Sequence, residues 1–179
     1  QVAAGQPSLL PGWTRGHVVA HIALNADSHS GMLEAAACGE AAVQYPGGAD
    51  QRTADIEAAA VLPVAELLDH VRRSNDRLQS AWAAMPASAW EADGEGVRGP
   101  VALAELPFRR WREALVHLAD VDLGYSWRDW PMEYVRLELP RMTMLWASRT
   151  PMGLSTLPPA ALAVGPRHRT AWLLGRASI

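Results

Sequence analysis

The sequence predicts an all-α bundle over residues 1–150, followed over 151–179 by a small α/β or irregular C-terminal piece. Three observations carry that expectation. Apolar residues recur at i, i+3, i+4 and i+7 spacing in four long segments. Those segments are joined by connectors rich in glycine and proline, which end helices. Beyond residue 150 the helical period shortens and the chain reads as brief extended pieces before one terminal helix. The length, 179 residues, is enough for one domain with a buried core.

Composition excludes several classes of function. The net charge is −3 and no basic run stands out, so there is no clustered positive face for nucleic acid. No apolar stretch reaches the roughly 18 uninterrupted residues of a membrane span. No charged start with an apolar centre and a small-residue cleavage site marks a secretory signal. One cysteine, Cys38, allows no internal disulfide and suits a reducing, cytoplasmic setting. At the end of an alanine-rich helix, Cys38 reads as a small filler residue. All 16 Lys+Arg residues are arginine, a usage typical of GC-rich codons.

In chain order, Pro7 to Gly12 is a breaker-rich connector. Thr14 is a natural N-cap, because its hydroxyl accepts from the unpaired N–H groups of a first helical turn. The helix it opens runs to about Cys38 and stops at Gly39. Its inner stripe takes Val18, His21, Ile22, Leu24 or Asn25, Met32 and Leu33. Residues 39–60 are weakly patterned and predict a loop with a helical turn around Thr53–Ala59. Pro63, suited to a first helical position, opens a second long helix that Pro86 ends. Residues 86–103 read as an irregular connection. A third helix spans about Leu103 to Asp122, with Pro107 kinking it or marking its start, and Gly124 ends it. Tyr125–Pro131 is an aromatic loop. A fourth helix covers Met132 to about Arg149, interrupted at Pro140. Gly153–Leu157 and Ala161–Val164 predict short strands or extended turns, and Arg167–Ala177 a terminal helix.

The third helix carries the most suggestive pair. Glu113 and His117 are four residues apart, so they share a helix face one turn apart, and a carboxylate and an imidazole so placed can hold one divalent cation. In isolation such a pair is more often a solvated helix face. His21, on another helix, supplies a third group, and three protein ligands with one open position is the arrangement of a catalytic zinc site. His17 competes with His21 at i,i+4 spacing. His29, His70 and His168 read as surface residues.

Two long motifs and one short one resemble a known family. Leu10-Pro-Gly-Trp-Thr-Arg-Gly-His-Val-Val-Ala-His-Ile-Ala-Leu-Asn-Ala-Asp27 is similar to the opening motif of the mycothiol-dependent maleylpyruvate isomerases, a branch of the DinB-like metal-binding four-helix bundles. Arg112-Glu113, His117 and Asp120, followed by Gly124-Tyr125 and Asp129-Trp130-Pro131, resemble the second part of that signature, and Leu173-Leu174-Gly175-Arg176 the third. The resemblance implies a mainly α, DinB-like bundle with a shortened α/β C-terminal region. It implies zinc ligands at His21, Glu113 and His117, with His21 chosen over His17 as the second histidine of the motif. Asp120 and Arg176 fall on catalytic positions, and Arg110, Arg112 and Arg176 are the candidates for binding substrate. The family's first helix, expected before Pro7, is not in the sequence, and Leu24 stands where the motif often has arginine.

The implied cofactors are Zn²⁺ and mycothiol. One carboxylate and two neutral imidazoles around a dication give a site of net charge +1, which favours an anionic sulfur. The implied reaction is cis–trans isomerisation by thiol addition and elimination on maleylpyruvate. A mycothiol S-transferase is the alternative, and a non-catalytic metal-binding module a second one. The expected partners are a small-molecule substrate and mycothiol, with no nucleic acid and no membrane. The sequence leaves the oligomeric state open, with a homodimer among the assemblies it allows.

Overall fold

The computed structural model describes residues 3–149 and 156–179. The chain separates into two compact units, divided between Asp122 and Leu123. The boundary expected at 150/151 lies outside the described residues. The architecture is mainly α and DinB-like. Among the described residues, no helix is long and apolar enough to cross a membrane.

The first unit is built around α1 (Arg15–Ala37), against which α2 (Gly48–Ala60), α3 (Val64–Ala84) and α4 (Leu106–Asp120) all pack. The sequence explains why α1 is central. Val18, Ala20, Ala23, Ala26, Met32 and Leu33 are fully buried, and the small residues among them point in more than one direction. A helix that is apolar or small nearly all round is one surrounded by neighbours. Thr14 caps it as expected: its Oγ1 accepts from His17 N, while His17 Nδ1 accepts from Thr14 N. Gly16 is required by packing, since a Cβ there would run into the carbonyl oxygen of Ala60 at the end of α2.

One core cluster joins α1 to α3 and to the segment before α4, through Met32, Leu33, Leu78, Ala81, Met85, Val101, Leu103 and Leu106. Burying these side chains removes most of their apolar surface from water, at about 25 cal/mol per Å². A smaller cluster of Ala20, Ala59 and Leu67 closes α1 against α2 and α3. Arg110 ties three helices together. Its Nη1 donates to Ile22 O (2.7 Å) and Asn25 Oδ1 (3.0 Å) on α1, and its Nη2 to Asn75 Oδ1 (2.8 Å) on α3.

Three elements of this unit differ from the sequence reading. Residues 48–60 form a full helix, longer than the expected turn at Thr53–Ala59. The expected irregular connection contains a β-hairpin, β1 (Asp93–Gly96) and β2 (Gly99–Ala102), paired antiparallel with Gly94 opposite Val101. Strands of four residues, rich in glycine and charge, carry too little period-2 hydrophobicity to be read. Gly94 permits the hairpin to lie on the core, because a Cβ would meet Met32 Cε at 2.6 Å and Ala42 O at 2.7 Å. Bonds from Gln44 N to Glu95 O (2.9 Å) and from Glu95 N to Ala42 O (2.8 Å) fix residues 42–44 beside it. The third helix starts at Leu106 and ends at Asp120, where Asp122 takes a left-handed φ of 59° before Gly124.

The second unit holds α5 (Met132–Arg149), α6 (Pro159–Ala163) and α7 (Pro166–Leu173), with α5 packed on α7. Pro140 lies inside α5, which runs on through it. The extended piece expected at Ala161–Val164 is instead mostly the short helix α6, begun by Pro159 at a position where a proline lacks no needed donor. Of the strand expected at Gly153–Leu157, residues 153–155 lie outside the described residues. The terminal helix stops at Leu173, with Gly175 at φ 73° just beyond it.

Candidate metal centre

Two helices present facing ladders of polar side chains. On α1, His21, Asn25 and His29 follow one another at i, i+4 and i+8, so they share one face. On α4, Arg109, Glu113 and His117 do the same. His21 meets Glu113 and His117, while the charge of Arg109 acts on His29. The two ladders therefore run antiparallel. Both line a cavity of about 480 Å³ within the first unit.

At one end of the ladders lie the three groups expected to hold a metal. One donor atom from each of His21, Glu113 and His117 falls within 4.8 Å of the others. His21 Nε2 is 3.0 Å from Glu113 Oε2, and His117 Nε2 is 3.3 Å from the same oxygen. The two imidazoles stand at 90° with ring centroids 4.6 Å apart. Trp13 presses edge-on against His21 at 5.7 Å and stacks on His17 at 6.0 Å. The Leu10-to-Thr14 motif thus supplies the cavity wall at Leu10 and Trp13, and the cap of the helix that carries His21.

The remaining ring nitrogens have partners. His117 Nδ1 donates to Asp120 Oδ2 at 2.9 Å and its Nε2 donates to Glu113 Oε2 at 3.3 Å, so a metal at this nitrogen would take the place of its proton. Arg52 Nη2 donates to His21 Nδ1 at 3.2 Å. Burial alone would raise the Glu113 carboxyl, but hydrogen bonds with His117 and His21 hold it far below the usual carboxylate range. Burial alone would lower His117, yet Asp120 and Glu113 keep it above its ordinary value. His21 is lowered by burial, which outweighs the hydrogen bond with Glu113. Two imidazole nitrogens and one ionised carboxylate, this close together, are a donor set that fits zinc with a position left for another ligand.

The other expected site residues divide. Arg112 lines the cavity, with its guanidinium 6.0 Å from the centroid of the Phe108 ring. Arg110 does not form part of the cavity wall; it is buried, and its guanidinium joins α4 to α1 and α3. Asp120 is 1% exposed and does not line the cavity, but it bonds His117, which does. Arg176 belongs to the second unit, where its Nη1 donates to Leu174 O at 2.6 Å. His17 Nε2 pairs with Glu57 at 3.1 Å.

Several cavity residues escaped the sequence reading. Arg52 from α2, Arg98 from the hairpin and Arg109 from α4 join Arg112 around the opening, with Tyr45 under Arg52 at 5.5 Å. Four guanidiniums against one carboxylate make the cavity a place for an anion. His29, expected at the surface, is 2% exposed and lies in the wall. Its i+8 spacing from His21 was the available signal. His70 is not at the surface either, being half-buried in a 2.8 Å pair with Asp27.

The family model of the mycothiol maleylpyruvate isomerase N-terminal domain matches residues 2–122, all but the first residue of the first unit. The chain belongs to this family. Among solved structures, it is similar to that of a mycothiol-dependent maleylpyruvate isomerase, with a TM-score of 0.77 and 29% identity over 81% of this chain. A histidine-to-alanine mutant of that enzyme matches with a TM-score of 0.76 and the same 29% identity and 81% coverage. In both cases the chain spans 60% of the length of the other. No match is found among curated proteins.

Proposed function

We propose that this chain is a zinc-dependent, mycothiol-using enzyme that converts maleylpyruvate to its trans isomer by thiol addition and elimination. The observation that carries the reading is the placement of His21, Glu113 and His117, with donor atoms within 4.8 Å, in a cavity walled by four arginines. Membership of the isomerase family's N-terminal domain supports the thiol and the substrate.

His21, Glu113 and His117 would hold the zinc, which when bound supplies Lewis acidity and keeps a nearby thiol in its anionic, nucleophilic form. The thiolate adds to one alkene carbon and the electron pair moves into the conjugated carbonyl. The former double bond, now single, rotates. Expulsion of the thiolate then restores the alkene as trans, so nothing is consumed. Arg52, Arg98, Arg109 and Arg112 hold the substrate's negative charge and stabilise the anion that forms on the carbonyl oxygen. Asp120 is a positioning residue: it orients His117 through Nδ1. A binding module has no use for an open three-donor site beside an anion pocket.

The test is an assay of the purified, zinc-loaded chain with mycothiol and maleylpyruvate. Thiol-dependent formation of the trans isomer is expected, and its disappearance in His21→Ala. Accumulation of a stable thiol adduct in place of isomer would instead identify an S-transferase. Turnover without added thiol would overturn both.

A further inference from the structure

The far end of the two ladders has no part in holding metal, yet it is built from polar groups. His29 closes the α1 ladder and Arg109 the α4 ladder, both in the wall of the cavity. His29 is 2% exposed, and its Nδ1 is sealed from solvent without a hydrogen-bond partner. An imidazole N–H buried without a partner costs about 1–3 kcal/mol, so the ring's proton belongs on Nε2, the nitrogen that is not sealed. Burial, aided by the charge of Arg110, pushes His29 down to about 4, so the ring is neutral near pH 7 and carries a single proton. With Nδ1 turned into the protein, the Nε2 edge is the one available to the cavity. A proton on that nitrogen makes it a donor.

Arg109 adds a cation at the same end. Its Nε and Nη2 lie at 3.4 and 3.3 Å from Glu105 Oε2, long contacts on a side chain 39% exposed. Asn25, midway along the α1 ladder, has its Oδ1 taken by Arg110, and Glu113 belongs to the metal end. Eight residues of helix, about 12 Å at 1.5 Å per residue, separate His29 from His21 along α1. That distance suits an acid whose reacting carbon sits by the thiol and whose other end is a carboxylate.

We infer that His29 and Arg109 form a carboxylate subsite, which takes the end of the substrate remote from the reacting double bond. One carboxylate oxygen accepts from His29 Nε2 and the group pairs with the Arg109 guanidinium. This subsite rests on the proposed reaction for its substrate, but binding can be measured without turnover. It makes His29 a specificity-determining residue on a helix where His21 serves the metal.

The probe is succinylpyruvate, the saturated analogue of the substrate, which has no alkene to add a thiol. Its binding to the zinc-loaded chain is measured by calorimetry for the wild type, His29→Phe, His29→Gln and Arg109→Gln. Phenylalanine keeps the ring's bulk without a donor, whereas glutamine restores a donor. Binding is expected to weaken about tenfold or more in His29→Phe and Arg109→Gln, the loss expected for one hydrogen bond to a charged group. It should recover in part in His29→Gln, with zinc content unchanged throughout. In turnover by His29→Phe, KM for the acid should rise while kcat and KM for the thiol stay near wild type. Unchanged probe affinity in a folded, zinc-bearing His29→Phe overturns the subsite, as does a rise confined to KM for the thiol. A wild type that binds the probe but does not isomerise maleylpyruvate would sink the proposed reaction and leave the subsite standing.

Discussion

Asp120 does not line the cavity, yet it decides how His117 is presented. Its carboxylate, 1% exposed, accepts from His117 Nδ1 at 2.9 Å and so turns the Nε2 edge of the ring toward Glu113. Asparagine at this position keeps the shape but removes the charge and offers either an amide oxygen or an amide N–H to the ring. Asp120→Asn is therefore expected to weaken zinc binding by about 10–100-fold, the usual cost of losing a histidine's outer partner. Competition with a chromophoric chelator measures this directly, and an unchanged affinity would remove Asp120 from the site. The grouping of His21, Glu113 and His117 was legible in the sequence because Glu113 and His117 sit one turn apart and His21 lies in a long motif. The arginines were not. Arg109, Arg110 and Arg112 are adjacent in sequence, but a helix turns about 100° per residue, so neighbours face different surroundings. Which of them enters the cavity depends on how α4 is rotated against α1, and that is a tertiary fact. Arg110 turned inward to Ile22 and Asn25, while Arg109 and Arg112 line the cavity.

At the scale of elements, the helices were readable and the hairpin was not. The capping residue Thr14, the opening Pro63 and the break at Pro86 are local chemistry and act wherever they occur. The hairpin depends on a long-range fit: Gly94 lies against Met32 Cε and Ala42 O, contacts with residues more than fifty positions away. Gly16 poses a similar case on α1, where helix propensity alone would favour alanine. Here the Cβ of alanine would collide with Ala60 O, a backbone atom at the end of α2 that cannot swing aside as a side chain would. Gly16 N also donates to Ala4 O at 2.8 Å, which fixes the start of α1 against the preceding segment. Gly16→Ala should therefore destabilise the protein by about 1–3 kcal/mol, the cost of overpacking, despite the better intrinsic helix propensity. Chemical denaturation gives the value, and a gain in stability would mean that α2 moves away at little cost.

For the whole molecule, the division into units separates what the family match covers from what it does not. All three donors, the four cavity arginines, His29 and Asp120 lie in residues 3–122, the unit the family model matches. That unit draws its donors from two helices, so a bound metal would cross-link α1 to α4 in the folded state. The unfolded chain holds these donors 92 residues apart. A ligand that binds the folded form alone stabilises it by mass action, about 2.7 kcal/mol when free metal is one hundred times its dissociation constant. For a protein of this size that corresponds to about 5–10 °C in the melting midpoint. Chelation should lower the midpoint by that amount and zinc should restore it. Trp13 packs on His17 and His21, so the part of any metal-dependent change in tryptophan fluorescence that Trp13→Phe removes reports on the site. The variant Glu113→Gln should melt at the same temperature with or without chelator, because it lacks the anionic donor that joins the two histidines. A midpoint unmoved by chelation in the wild type, with elemental analysis showing the metal removed, would mean that the three side chains are held by their own hydrogen bonds and that the metal adds nothing to the fold.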